Sequence, residues 1–206
     1  MNRRTLDLVL AGGAAGFFLP VQLAAAALIR LEDGDPAIFR QERLGRGRVP
    51  FVVPKLRTMR DGEVTRVGRW LRATGLDETP QFLCVLRGDM AIVGPRPLTA
   101  ADVARLGWTG PAHDARFDVA PGITGLAQVL GGVSARHSRA LDALYARRAS
   151  VRLDLWLIGV SFAMNVAGKE RVRSWLRRRP RPLGRPARPL ERWAATIARA
   201  GVSQLR

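Results

Sequence analysis

Residues Leu6 to Ile29 form an almost wholly apolar run, interrupted only by Asp7 at its start and Gln22 late in it. As a straight helix the run would be about 36 Å long, against a bilayer hydrocarbon core of roughly 30 Å. Three readings compete. A secretory signal peptide fits Arg3-Arg4, the apolar run and the alanine tract Ala24 to Ala27. A simple spanning helix fits the length. A re-entrant helix fits Pro20, which removes a backbone donor mid-segment, with Gly16 one turn earlier. Arginines flank both ends, Arg3 and Arg4 before and Arg30, Arg40 and Arg43 after. Positive charge favours the cytoplasmic side, so both ends are expected there. The pattern alone leaves all three readings open.

The chain has 206 residues, of which 47% are apolar, so one domain with appendages is expected. Its formal net charge is +17, and Lys55 and Lys169 are its only lysines. That excess predicts anionic partners: nucleic acid, acidic lipid or phosphorylated substrates. Arginine suits bidentate phosphate contacts. Nucleic acid is disfavoured, because aromatics are few and not interleaved with the basic tail. The single cysteine, Cys84, excludes an intrachain disulfide and a cysteine zinc site. His113 and His137 have no partners at metal-ligand spacing.

Ala37 to Phe39 and Pro50 to Val53 read as short strands around the Gly45-Arg46-Gly47 turn. Val64 to Arg72 has a helical period, and Gly75 breaks it. Asp77 is then the expected N-cap of a helix with Pro80 in its first turn, ended by Gly88. Ala140 to Ala167 reads as helix, with an apolar stretch from Leu153 to Val166 that suits an interfacial or core position. From Lys169 the chain turns basic and proline-rich. Arg177 to Pro182 reads as a flexible tail, and Arg192 to Leu205 as an amphipathic helix on anionic lipid.

The chemistry concentrates at Asp77-Glu78, with Arg72, Arg87 and Arg96 around it. Clustered cations hold an anionic substrate, and a carboxylate attacks it or carries a metal to it. A capping Asp followed by a first-turn Glu explains an isolated pair equally well. The two readings are compatible, since a helix N-terminus both keeps a carboxylate ionised and welcomes phosphate. Adjacent carboxylates repel, and a divalent cation relieves that repulsion. Lys55 and Arg57 alternate with apolar residues, which puts both on one face of an extended segment, where a plain solvated face is the alternative. Arg96 stands between Pro95 and Pro97 on stiff backbone. Pro121-Gly122-Ile123-Thr124-Gly125 is a turn-rich loop, either ligand-approaching or structural.

Taken in order, Phe39 to Gly45, Lys55 to Met59, Leu76 to Gln81, Gly88-Asp89-Met90, Val93 to Pro97, Arg116-Phe117, Pro121 to Val129, Asp142, Tyr145 and Leu153-Asp154-Leu155 resemble the bacterial sugar transferases, small monotopic phosphoglycosyl transferases. The resemblance implies an α+β, mainly helical fold. It would have a re-entrant membrane helix (residues 1–30), a catalytic domain with a small β-hairpin and interfacial amphipathic helices (31–168), and a basic Pro/Arg-rich tail (169–206). It implies transfer of a phosphosugar from a nucleotide diphosphate sugar, taken as a UDP-sugar, to polyprenyl (undecaprenyl) phosphate with Mg2+. The reaction would run at the cytoplasmic face of the bacterial inner membrane, initiating glycoconjugate or exopolysaccharide assembly. Membrane lipid is then a partner, nucleic acid is not, and a homo-oligomer is compatible.

Residue by residue, the resemblance makes Asp77 the nucleophile of a covalent phosphosugar intermediate and Glu78 its metal ligand or acid/base partner. The metal would sit on Asp77 and Glu78. Lys55, Arg57, Arg72, Arg96 and Arg116 become substrate-binding cations. Family members carry Asn at the position of Cys84, and Asn-Gly-Arg where this chain has Leu130-Gly131-Gly132. Arg136 is the expected stand-in for that arginine. A catalytically impaired membrane scaffold of the same fold is the alternative function.

Overall fold

The computed structural model describes residues 2–178, apart from Asp35 and Val133. Its first element is α1, Arg3–Asp33, a helix of 31 residues, about 46 Å long and continuous through Pro20. The Asn2 side chain caps it by accepting from the Thr5 amide, and Gly34 ends it with a left-handed φ of 72°. Leu6 and Ala11 near one end, and Ala25 and Ile29 near the other, are buried. Between them Phe17, Leu19 and Leu23 are exposed, Phe17 by 75%. This is the one helix among the described residues long and apolar enough to cross a membrane.

Both ends of α1 are built into the rest of the fold. Arg3 donates to Asp154 at 2.7 Å and to the Tyr145 hydroxyl at 2.5 Å, and Arg4 donates to the Val85 and Leu86 carbonyls at 2.6 and 2.8 Å. Removing α1 would leave the Asp154 carboxylate, only 5% exposed, without its cation. A cleaved leader is therefore a poor description of this segment.

The hairpin pairs β1, Ile38–Leu44, with β2, Pro50–Leu56, in register from Ile38↔Leu56 to Leu44↔Pro50. It is longer than the sequence pattern indicates, because the pairing carries the charged residues Arg40, Glu42 and Arg43 that break the apolar alternation. A two-residue pair, β3 Met59–Arg60 and β4 Glu63–Val64, leads into α2, Arg66–Thr74. A 3-10 turn, Leu76–Gln81, then runs into α3, Phe82–Arg87. Next come β5, Ala91–Val93, and α4, Ala100–Arg105. A further 3-10 turn, Pro111–Arg116, precedes β6, Gly122–Thr124, which pairs in parallel with β5. The remaining helices are α5 Leu126–Leu130, α6 Ala135–Arg148, α7 Val151–Ala167 and α8 Lys169–Arg178.

The expected single helix from Ala140 to Ala167 is thus two. The break falls at Ala149-Ser150, where Ser150 accepts from the Leu153 amide and starts α7 afresh. The tail also starts differently from expectation. Residues 169–178 are helical, and Val172 is buried against the core. The expected Arg192–Leu205 helix and most of the Arg177–Pro182 segment lie outside the described residues.

The main core gathers Val85, Val93, Leu126, Val129, Tyr145 and Leu157 from α3, β5, α5, α6 and α7, with Met90 from the turn between α3 and β5. A smaller cluster joins Ala25 and Ile29 of α1 to Leu56 and Leu71. Cys84 is fully buried in the main core, its thiol 3.5 Å from the Val52 carbonyl. The Pro121 to Gly125 loop is structural at its glycines. A Cβ on Gly122 would stand 2.0 Å from the Gly94 nitrogen, and one on Gly125 would stand 2.1 Å from the Gly94 oxygen. Only glycine lets these two backbones touch.

Candidate active site

Gly75 ends α2 with a φ of 72°, and its amide bonds back to the Leu71 and Arg72 carbonyls. The chain re-enters helical geometry at once, as the 3-10 turn with Asp77 and Glu78 in its first turn and Pro80 within it. Gly75 therefore takes the capping position that the pattern assigns to Asp77. The left-handed residue lets the turn begin two residues earlier than the Asp and Pro spacing indicates.

The two carboxylates have different surroundings. Glu78 Oε1 receives Lys55 Nζ at 2.7 Å and lies 3.5 Å from Arg96 Nη2. Burial alone would raise the Glu78 carboxyl, but the Lys55 hydrogen bond and the charges of Lys55 and Arg96 outweigh it and hold the group below its ordinary value. Asp77 makes no ion pair among the described residues. Burial, and then the charge of Glu78, push its carboxyl up, against the weaker pull of Lys55 and Arg72. One carboxylate is thus locked in a charge cluster, while its neighbour accepts from its own backbone amide and makes no ion pair among the described residues.

Lys55 comes from β2, which packs on the 3-10 turn. Arg72 Nε donates to Thr58 Oγ1 at 2.8 Å, and Arg57 lies beside it on the wall of the same cleft. Gly68 permits this approach of α2, since a Cβ there would sit 2.2 Å from the Thr58 oxygen. The cleft has a volume of about 1500 Å³, and Asp77, Glu78, Lys55, Arg57, Arg72 and Arg96 all line it. A continuous apolar flank is supplied by Leu10, Ala14 and Phe18 of α1 with Phe82, Ile158 and Phe162. A cluster of cations and an apolar flank therefore share one cavity.

Two expected substrate cations lie elsewhere. The Arg116 side chain is only 4% exposed and pairs with Asp142 at 3.3 Å. It lies over the Trp108 ring at 5.0 Å and the Phe117 ring at 5.4 Å. Its Nη2 donates to the Arg96 carbonyl at 2.7 Å, so it braces the Pro95-Arg96-Pro97 segment from behind. Burial pushes the Asp142 carboxyl up to about 6 against the pull of Arg116, and burial lowers Arg116. Arg136 sits exposed in the first turn of α6 and does not line the cleft.

Several lining groups escaped sequence reasoning. Arg43 joins Lys55, Glu78 and Arg96 around a small recess and donates to the Pro97 carbonyl at 3.1 Å. Its presence in the Phe39 to Gly45 run was the available signal. Lys169 and Arg173 of α8 also line the cleft. No group of three or more His, Cys, Asp or Glu side chains suited to a metal occurs among the described residues. Asp77 and Glu78 alone match the way Mg2+ is commonly held, by one or two carboxylates with substrate phosphates completing its shell.

A cation-lined acidic pair thus shares a cleft with apolar side chains, on a mainly helical fold with a long apolar N-terminal helix. The bacterial sugar transferase family model matches residues 1–168, and the chain belongs to that family. It is 46% identical over 145 residues to a UDP-glucose:undecaprenyl-phosphate glucose-1-phosphate transferase of Caulobacter vibrioides, covering 64% of this chain and 54% of the relative. It is 37% identical over 175 residues to a UDP-N-acetylgalactosamine-undecaprenyl-phosphate N-acetylgalactosaminephosphotransferase of Aeromonas hydrophila, covering 76% and 41%. A glucose-1-phosphate transferase of Escherichia coli K12, also named for UDP-glucose and undecaprenyl phosphate, is 39% identical over 143 residues, covering 63% and 31%. The chain spans about half or less of the length of these relatives.

Proposed function

We propose that the chain transfers a phosphosugar from a UDP-sugar to undecaprenyl phosphate through a covalent intermediate on Asp77. The observation that carries this reading is the asymmetry of the carboxylate pair. Lys55 and Arg96 hold Glu78, while Asp77 makes no ion pair among the described residues. The Asp77 carboxylate attacks the sugar-bearing phosphorus, the bridging P–O bond of the diphosphate breaks, and uridine monophosphate leaves. An oxygen of the prenyl phosphate then attacks the same phosphorus, forms a diphosphate-linked sugar and returns Asp77 as a carboxylate. Arg72 and Arg96 hold the phosphate oxygens. Mg2+, held by Asp77 and Glu78 with those oxygens, would supply charge neutralisation.

The apolar flank of the cleft suits the prenyl chain. Both ends of α1 rest on the same body while its middle is exposed, as a helix that enters and leaves by one membrane face requires. The cytoplasmic face of the inner membrane is the side on which nucleotide sugar is made available to such a site. The test is a panel of UDP-sugars with undecaprenyl phosphate and the purified full chain in detergent, scoring release of uridine monophosphate. Turnover with at least one sugar, dependent on the lipid phosphate, is expected. Absence of release with every sugar would overturn the reading.

A further inference from the structure

The cleft has a second cationic group, supplied by α8 and absent from the chemistry described above. Lys169 and Arg173 stand four residues apart, so they share a helix face, and both line the cleft. They lie beyond residue 168, where the family match ends. Arg173 is clasped in place. Its Nη2 donates to the Gln128 carbonyl at 3.1 Å, its Nε to the Val129 carbonyl at 3.4 Å, and its Nη1 to Glu170 at 3.3 Å. The guanidinium lies against Gly131, where φ is 74° and an added Cβ would meet it at 3.1 Å.

A guanidinium has five N–H donors, so three contacts leave two for a ligand. The ordering cost of this long side chain is already met by the protein. Lys169 is exposed and makes no ion pair or hydrogen bond among the described residues. The neighbouring Gln128 side chain gives its amide hydrogen to the Ile123 carbonyl, and its Oε1 is buried without a donor. A solvated basic helix face explains neither the clasp nor the glycine that accommodates it, and Gln128, Gly131, Lys169 and Arg173 all line one cavity.

We propose that Lys169 and Arg173 form a second phosphate-binding subsite of the Asp77 cleft. This rests on reading the cleft as a phosphosugar transfer site, which must receive both a diphosphate donor and a lipid monophosphate. The shared chemistry is a phosphate oxyanion.

The experiment uses the full chain in detergent micelles and three variants, Lys169→Ala, Arg173→Ala and Arg173→Lys. Uridine diphosphate and undecaprenyl phosphate are titrated separately, and initial rates are measured with each substrate varied. Both alanine variants should weaken binding in one arm by about tenfold or more, the worth of a charge-assisted phosphate contact. The loss should fall on KM for that substrate more than on kcat, and Arg173→Lys should recover part of it. An effect in the nucleotide arm assigns the subsite to the donor, and one in the lipid arm assigns it to the acceptor. Wild-type binding with both alanine variants unchanged would overturn this inference alone. So would a loss confined to Arg173→Ala that tracks a fall in its melting temperature. A wild-type chain that binds neither probe would overturn the inference together with the reading on which it rests.

Discussion

Replacing Asp142 by Asn separates the two uses of the buried pair behind Arg96, stability and position. Asp142 and Arg116 are 3.3 Å apart, with side-chain exposures of 7% and 4%. Burial raises the Asp142 carboxyl from 3.8 to about 6 even with Arg116 beside it. At about 1.4 kcal/mol for each tenfold change in proton affinity, that rise costs the folded state about 3 kcal/mol once the group is ionised. The folded protein binds this proton more tightly than the unfolded chain does. The stability it contributes is therefore complete below about pH 4 and is lost as pH rises through about 6.

Asn never ionises, so the variant should gain on the wild type by about 3 kcal/mol between pH 4 and pH 8. For a chain of this size that corresponds to roughly 6–12 °C in melting temperature. Thermal unfolding of both proteins in one detergent across that range measures it, and the difference cancels groups common to both. A flat difference, or a wild type that gains on the variant as pH rises, would refute the reasoning. Either would show that Arg116 offsets the burial in full or more than offsets it. Arg116→Met should instead lower turnover about tenfold or more, because the Arg96 carbonyl loses its charged donor.

Lys55→Met removes the 2.7 Å partner of Glu78 and should reduce kcat about 100-fold with the fold retained, checked by steady-state kinetics and a melting curve. Exhaustive chelation should abolish turnover and added Mg2+ should restore it, whereas full activity in chelator would count against Asp77 and Glu78 as metal ligands. In a Cys84→Ser background, Asn2→Cys and Glu63→Cys should both resist an impermeant thiol reagent in intact cells and react after lysis. Labelling of the first position from outside would show that α1 spans.

The parts of the fold legible in sequence are those set by local chemistry. The apolar run gave α1, and the left-handed conformations required after α2 and α3 were marked by Gly75 and Gly88. The Ser150 cap that splits α6 from α7 was also a local signal, hidden by the helical pattern on both sides of it. Val172, Trp175 and Leu176 carry a helical spacing inside α8, masked by the basic composition of the tail. Asp77, Glu78, Lys55, Arg57, Arg72 and Arg96 were singled out in sequence by acid near cation together with the family resemblance, and the fold brings all six onto one cleft. The fate of Arg116 was not, since its burial depends on Trp108, Phe117 and Asp142, brought together only by the tertiary fold. The same holds for Arg173, whose clasp on the Gln128 carbonyl spans 45 positions.

Asp77, and not the paired Glu78, is proposed to carry the phosphosugar. The direct measurement is mass spectrometry of the full chain incubated with the active UDP-sugar in the absence of prenyl phosphate. One added phosphosugar per chain is expected, located on the peptide bearing Asp77, lost on addition of undecaprenyl phosphate and absent in Asp77→Asn. An adduct on Glu78, or full turnover by Asp77→Asn, would contradict it.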